Sequence, residues 1–133
     1  MKIKVLVGFA LAVVLISSIS LFGHHGTGIS YDQDKQVVVK GIVTEFAWKN
    51  PHSQLYMDIK DEKGETVHYA IELNSPGVMI RQGWNRRIFK TGDAVTISVH
   101  PSRVGAPVGE CLNPCKVTIN GKEPPAAPPQ QQQ

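Results

Sequence analysis

From residue 37 onward, apolar and polar side chains alternate in short runs separated by turn residues. A period of two places successive side chains on opposite faces of a strand, so each such run reads as a half-buried β-strand. Gln54 to Asp61 shows it most cleanly, with Leu55, Met57 and Ile59 inward and Gln54, Tyr56, Asp58 and Lys60 outward. Asp61-Glu62-Lys63-Gly64 follows as a hairpin turn, and Thr66 to Leu73 alternates again with Val67, Tyr69, Ile71 and Leu73 inward. The run Val37 to Trp48 is longer and β-branched, and its parity changes partway. Val37 and Val39 face one way, and Ile42, Phe46 and Trp48 face the other. A bulge at Gly41 would turn both sets onto one core, because glycine within a strand is where bulges form.

After the third run the period changes. Ser75 stands at an N-cap position and Pro76 at the first helical position, where a missing N–H is harmless. Val78, Met79 and Gln82 then predict a short helix that ends at Gly83. Thr91-Gly92-Asp93 is a turn, and Val95, Ile97 and Val99 form the inner face of a fourth strand. Cys115 to Asn120 predicts a fifth, with Val117 and Ile119 inward. Three strands, a short helix and two further strands make an all-β chain with one short helix, in the order of a small five-stranded OB-like barrel. Barrels of this kind bind ligands on one open face and its loops. The fold hosts many unrelated functions and does not choose among them.

The two ends of the chain depart from this pattern. Met1-Lys2-Ile3-Lys4 is a short positive segment, Val5 to Ile16 is apolar, and Ser17-Ser18-Ile19-Ser20-Leu21-Phe22-Gly23 closes the run with small residues. Positive, apolar and small segments in that order are the layout of a secretory signal, expected over residues 1–23. An uncleaved membrane anchor is the competing reading, since Val5 to Phe22 sits at the edge of the roughly 20 apolar residues that cross a bilayer. Cleavage after Ser20 satisfies a small-x-small rule and leaves Leu21 first, whereas cleavage after Gly23 leaves His24 first. At the other end, Gly121 to Gln133 is rich in proline and glutamine, a composition that cannot bury a core and predicts a disordered tail. The barrel domain is therefore expected over residues 24–120.

Export changes the charge and the cysteine chemistry. The chain carries 14 Lys+Arg against 11 Asp+Glu. Lys2 and Lys4 leave with the signal, so the exported chain is close to neutral. That excludes the clear basic excess on which nucleic-acid binders depend. Arg81, Arg86 and Arg87 around Trp84 are the remaining basic cluster, read either as a solvated loop or as a contact for an acidic partner. The only cysteines are Cys111 and Cys115, spaced C-L-N-P-C. In an oxidising compartment a pair this close predicts a loop-closing disulfide, and a soft-metal or redox site is the alternative.

Five histidines are the main candidates for chemistry. His24 and His25 follow the signal, His52 follows Asn50-Pro51 in the turn between the first two strands, His68 faces outward in the third, and His100 ends the fourth. A terminal amine with the His24 imidazole, joined by His25, His52 or His100, is a nitrogen ligand set suited to Cu(II). Leu21 as the first residue would remove the terminal chelate and leave a mobile His-His pair. Trp48, Asn50, Arg81 and Trp84 could instead form a surface for a partner protein or small ligand, since aromatics and arginine anchor such contacts. Glu72 and Asp58 are a weak carboxylate pair. The chain has no G-x-S-x-G, no metalloprotease helix and no phosphate-cradling glycine loop, so no enzyme is expected.

Several of these segments together resemble an uncharacterised family of short exported bacterial proteins that carry a domain of unknown function. The resemblance rests on His24-His25 soon after the signal, Phe46-Ala47-Trp48-Lys49-Asn50-Pro51-His52, and Glu72-Leu73-Asn74-Ser75-Pro76. It extends through Arg81-Gln82-Gly83-Trp84 and through Lys90-Thr91-Gly92-Asp93 to Val99-His100-Pro101. It implies an exported small β domain, periplasmic or secreted, and brings no established activity. The expectation from sequence is a binding module, for copper through His24, His25, His52 and His100, or for a partner through its Trp/Arg surface.

Overall fold

A computed structural model describes residues 30–112 and 114–126. The apolar leader, His24, His25, Asn113 and residues 127–133 lie outside the described residues. The elements are β1 (Val37–Ala47), β2 (Gln54–Lys60), β3 (Thr66–Leu73), α1 (Pro76–Arg81), β4 (Ala94–Pro101), β5 (Val108–Cys111) and β6 (Val117–Ile119). The sheet runs β1-β2-β3-β5-β4 and closes because β1 also pairs with β4. Every pairing is antiparallel except β3 with β5, which is parallel. A closed five-stranded barrel with its helix between β3 and β4 is the OB-like arrangement expected from the alternation.

The fifth barrel strand is not the expected one. β5 closes the barrel, and the Cys115 to Asn120 segment supplies β6, an extra strand on Val95–Ile97 of β4. The inward positions of β5 are Gly109 and Cys111, neither of which marks a strand by its apolar side chain. Gly109 is required there for space: a Cβ would lie 2.7 Å from Val99 Cγ2 and 3.0 Å from the Tyr69 hydroxyl.

β1 corrects a second expectation. Its register on β2 slips between Val43 and Glu45, so the bulge falls at Thr44 and not at Gly41. Val39 and Val43 are buried before it, whereas Ile42 is 47% exposed and not part of the core. Phe46 and Trp48, beyond the slip, turn back to pack against the core. Gly41 has a different task. It pairs with Ile59 on one side and Val95 on the other, and a Cβ would sit 2.5 Å from the Asp58 carbonyl oxygen. Glycine lets β1 press against β2 at the point where it changes partners.

The interior is as the alternation predicts, with Leu55, Met57, Ile71, Leu73, Val95, Ile97 and Val99 essentially inaccessible. Burial of each is worth about 1.5–3 kcal/mol. Ser75 caps α1 by accepting from the Val78 backbone N–H at 3.4 Å, and the helix drives Met79 into the core. The chain then folds back, with Trp84 N–H donating to the Met79 carbonyl at 2.9 Å. This brings Trp84 onto Phe89, with ring centres 5.9 Å apart, and Phe89 onto Phe46 at 5.1 Å.

Candidate functional site

The pairing register builds a polar row across the outside of the barrel. Gln54 of β2 lies opposite Glu72 of β3, Glu72 opposite Glu110 of β5, and Glu110 opposite His100 of β4. Over this row runs the segment that precedes β1. Asp32 N–H donates to the Pro101 carbonyl at 2.9 Å, Arg103 N–H donates to the Ser30 carbonyl at 3.1 Å, and Tyr31 bridges to Ser102. The strap covers the row and supplies it with donors.

Glu72 is the hub. Tyr31 donates its hydroxyl to Oε2 at 2.9 Å, and Oε1 pairs with Nδ1 of His52. The loop between β1 and β2 presents His52 here because Ser53 N–H donates to the Asn74 carbonyl and Leu73 N–H donates back to Ser53. Those two bonds zip the loop to the end of β3, following a cis Asn50-Pro51 peptide. Burial raises the Tyr31 pKa well above its ordinary value, and the Glu72 hydrogen bond and the Glu72 and Glu110 charges add to it. Tyr69 is also raised, by burial, and donates to the Val108 carbonyl at 3.0 Å.

Glu110 is 2% exposed, an uncommon place for a carboxylate. Gln33 Nε2 reaches its Oε1 at 3.3 Å, and Oε2 has no hydrogen-bond partner among the described residues. Beside it, His100 Nδ1 lies 2.7 Å from the Lys35 carbonyl and 3.3 Å from that of Asp32. Carbonyls only accept, so Nδ1 carries a proton, and in the neutral ring Nε2 is the acceptor.

Of the histidines expected to bind metal, His24 and His25 lie outside the described residues. His52 and His100 share the polar row but do not converge. Glu72 and His100 are two strand spacings apart, roughly 10 Å. Among the described residues no three His, Cys, Asp or Glu side chains are grouped to hold a metal ion. His68 faces solvent and pairs with Asp58 at 2.5 Å, its register partner across β2 and β3. The Asp58–Glu72 carboxylate pair therefore does not form, and Glu72 has Glu110 as its neighbour.

The aromatic surface is partly corrected. Asn50 and Arg81 are exposed and Trp48 is half-buried, its ring 5.9 Å from that of Phe46. Trp84 is 8% exposed and belongs to the core, because the fold-back after α1 lays its ring on Phe89. Cys111 and Cys115 form the expected disulfide, with Cα atoms 5.1 Å apart.

Sequence reasoning did not single out Tyr31, Gln33 or Glu110. Their partners stand 41 and 77 residues away, and no local spacing announces them. A polar residue inside a glycine-cysteine strand was the only available signal at Glu110.

Taken together, the row gathers two adjacent carboxylates, two imidazoles and a buried phenol under a short strap. Among the described residues no helix is long and apolar enough to cross a membrane. The disulfide is compatible with an extracellular location. No curated protein matches the chain. Residues 12–111 match a family of unknown function, DUF6152, and the chain belongs to that family.

Proposed function

We propose that residues 1–23 export the protein to the bacterial periplasm or beyond the cell. Residues 24–120 then act as a binding module for copper(II). His24 and His25 supply nitrogen ligands ahead of the barrel, and His52 supplies one from the loop between β1 and β2. That loop and the β2–β3 face beside it are where OB-type barrels bind their ligands.

The observation that carries the reading is the pairing of His52 Nδ1 with the Glu72 carboxylate. Metal-ligating histidines nearly always hand their second ring nitrogen to a carboxylate or carbonyl, which fixes the tautomer and aims the ligating nitrogen. Tyr31 strengthens the case, because its hydroxyl fastens the start of the described chain to the same carboxylate. His25 precedes Tyr31 by six residues. Extended chain spans at most about 3.3–3.6 Å per residue, so six residues allow His25 a reach of up to roughly 20 Å from Tyr31. His100 is left out of the primary ligand set, since it lies across the row.

The test is titration of the processed, exported protein with Cu(II). One equivalent should bind, and should bind more tightly than it does to a His25→Ala, His52→Ala double variant. Equal affinity in the two proteins would overturn the proposal. The alternative Trp/Arg surface loses its central anchor with Trp84 in the core.

A further inference from the structure

A second site lies on the far side of the polar row, away from His52. It is a cavity of about 380 Å³ between the strap, β4 and the disulfide loop. Gln33, Gln36, Ser98, His100, Glu110 and Lys116 supply its polar wall. Cys111, Leu112 and Pro114 supply the remainder, on a loop closed by the Cys111–Cys115 bond. The size falls in the range of small-molecule sites, which pair a few fixed polar groups with apolar lining.

The polar groups are arranged by sign. At one end, Glu110 is 2% exposed and keeps Oε2 without a partner among the described residues. Its other oxygen accepts from the Gln33 amide at 3.3 Å, from an exposed side chain that can swing away. His100 donates from Nδ1 to the Lys35 and Asp32 carbonyls, so its neutral ring offers Nε2 as an acceptor. An acceptor with no donor among the described residues, beside a second acceptor on His100, calls for a ligand rich in N–H. At the other end stands Lys116, beside Ser98, whose N–H donates to the Lys116 carbonyl at 2.9 Å. Ser98 precedes His100 by two residues on β4, so the two ends are roughly 7 Å apart along the strand. A simple cation would be repelled at Lys116, and a simple anion at Glu110.

The geometry points to a binding site for a free α-amino acid with an apolar side chain. Its ammonium replaces the Gln33 amide at Glu110 and also meets His100 Nε2. A charge-assisted bond to a carboxylate is shorter and about twice as strong as a neutral one, which drives the exchange. Its carboxylate meets Lys116, and its side chain lies on Leu112 and Pro114. The disulfide holds that apolar wall in place, giving the short loop a task beyond stability.

The experiment uses the exported chain in the presence of a chelator, which removes copper and separates this site from His52. L-leucine, N-acetyl-L-leucine and L-leucinamide are titrated while backbone amide resonances are followed. L-leucine should give saturable shifts at Ser98, Glu110 and Lys116. N-acetyl-L-leucine, which lacks the ammonium, should give none. L-leucinamide, which lacks the carboxylate, should bind roughly tenfold more weakly, about 1.4 kcal/mol. Lys116→Met removes an exposed side chain and should weaken L-leucine by a similar factor. Glu110→Gln should abolish binding in a protein whose circular dichroism is unchanged. If that variant does not fold, Lys116→Met and the acetylated probe decide. Absence of saturable L-leucine binding, equal binding of the acetylated probe, or indifference to Lys116→Met would overturn the proposal.

Discussion

Replacing Gly41 with alanine tests the β1–β2–β4 junction on which the barrel closure depends. A Cβ at this position would lie 2.5 Å from the Asp58 carbonyl oxygen and 2.8 Å from Ile59 Cγ2. The first of these belongs to a paired backbone and cannot rotate away, so β1 must lift from β2. Overpacking of this kind costs about 1–3 kcal/mol, and a clash with backbone belongs at the upper end. Alanine also narrows the unfolded ensemble, which returns about 0.4–1 kcal/mol. The net loss is therefore about 2 kcal/mol. For a domain of this size each kcal/mol moves the melting temperature by about 4–8 °C, so a fall of roughly 8–16 °C is expected. Urea unfolding followed by the fluorescence of Trp84, which sits in the core, is a direct assay. Gly77 supplies the control: it lies in α1, and its added Cβ would meet nothing closer than 3.9 Å. Gly77→Ala should raise stability by about 0.5–1 kcal/mol through helix propensity. Gly41→Ala within about 0.5 kcal/mol of the parent, a change typical of an unconstrained surface site, would refute the close β1–β2 approach.

Three further outcomes follow from the same geometry. Tyr31 and Tyr69 hold their protons more tightly when folded, so their contribution is complete below about pH 10 and is lost as the pH rises above it. Tyr31→Phe should flatten that alkaline decline and lower stability near neutrality by about 1.5–3 kcal/mol, the worth of a hydrogen bond to a charged group; an unchanged alkaline slope in urea melts would show that Tyr31 is not buried against Glu72. Ser53 Oγ is buried without a partner among the described residues, so Ser53→Ala should be neutral or stabilising by about 1 kcal/mol. A clear loss of stability would mean that the hydroxyl is bonded. The Cys111–Cys115 bond closes a loop with a sequence separation of 4, and loop-closure entropy sets its worth at about 2 kcal/mol. Thermal melts under reducing conditions should show a lowered midpoint and a domain still folded at 25 °C.

The parts of the fold that were legible in the sequence are those where side-chain period and inward packing coincide. Leu55, Met57, Ile71, Leu73, Ile97 and Val99 alternate with polar residues and are all inaccessible. Ser75-Pro76 caps its helix through purely local chemistry. β5 was hidden because its inward positions are Gly109 and Cys111, and its outward Glu110 is covered by a strap from far along the chain. The bulge falls at Thr44, away from the glycine that marks it in the sequence, for a related reason. Glycine can signal either an extra residue or a close approach, and only the partner strand distinguishes them. Trp84 shows the converse, since its neighbouring arginines suggest a surface while the fold-back after α1 puts its ring inside. His52 was legible as a candidate from its turn. Glu72, Glu110 and Tyr31 meet through sheet register over 38 to 41 residues, a relation that spacing along the chain does not encode.

The proposed copper site is tested most directly by electron paramagnetic resonance of the exported protein with one equivalent of Cu(II), which reads the nitrogens bound to the ion. A tetragonal spectrum with nitrogen hyperfine structure from imidazole is expected, with the loss of one nitrogen in His52→Ala. A spectrum and affinity unchanged by His52→Ala would contradict it, as would copper that remains free in solution.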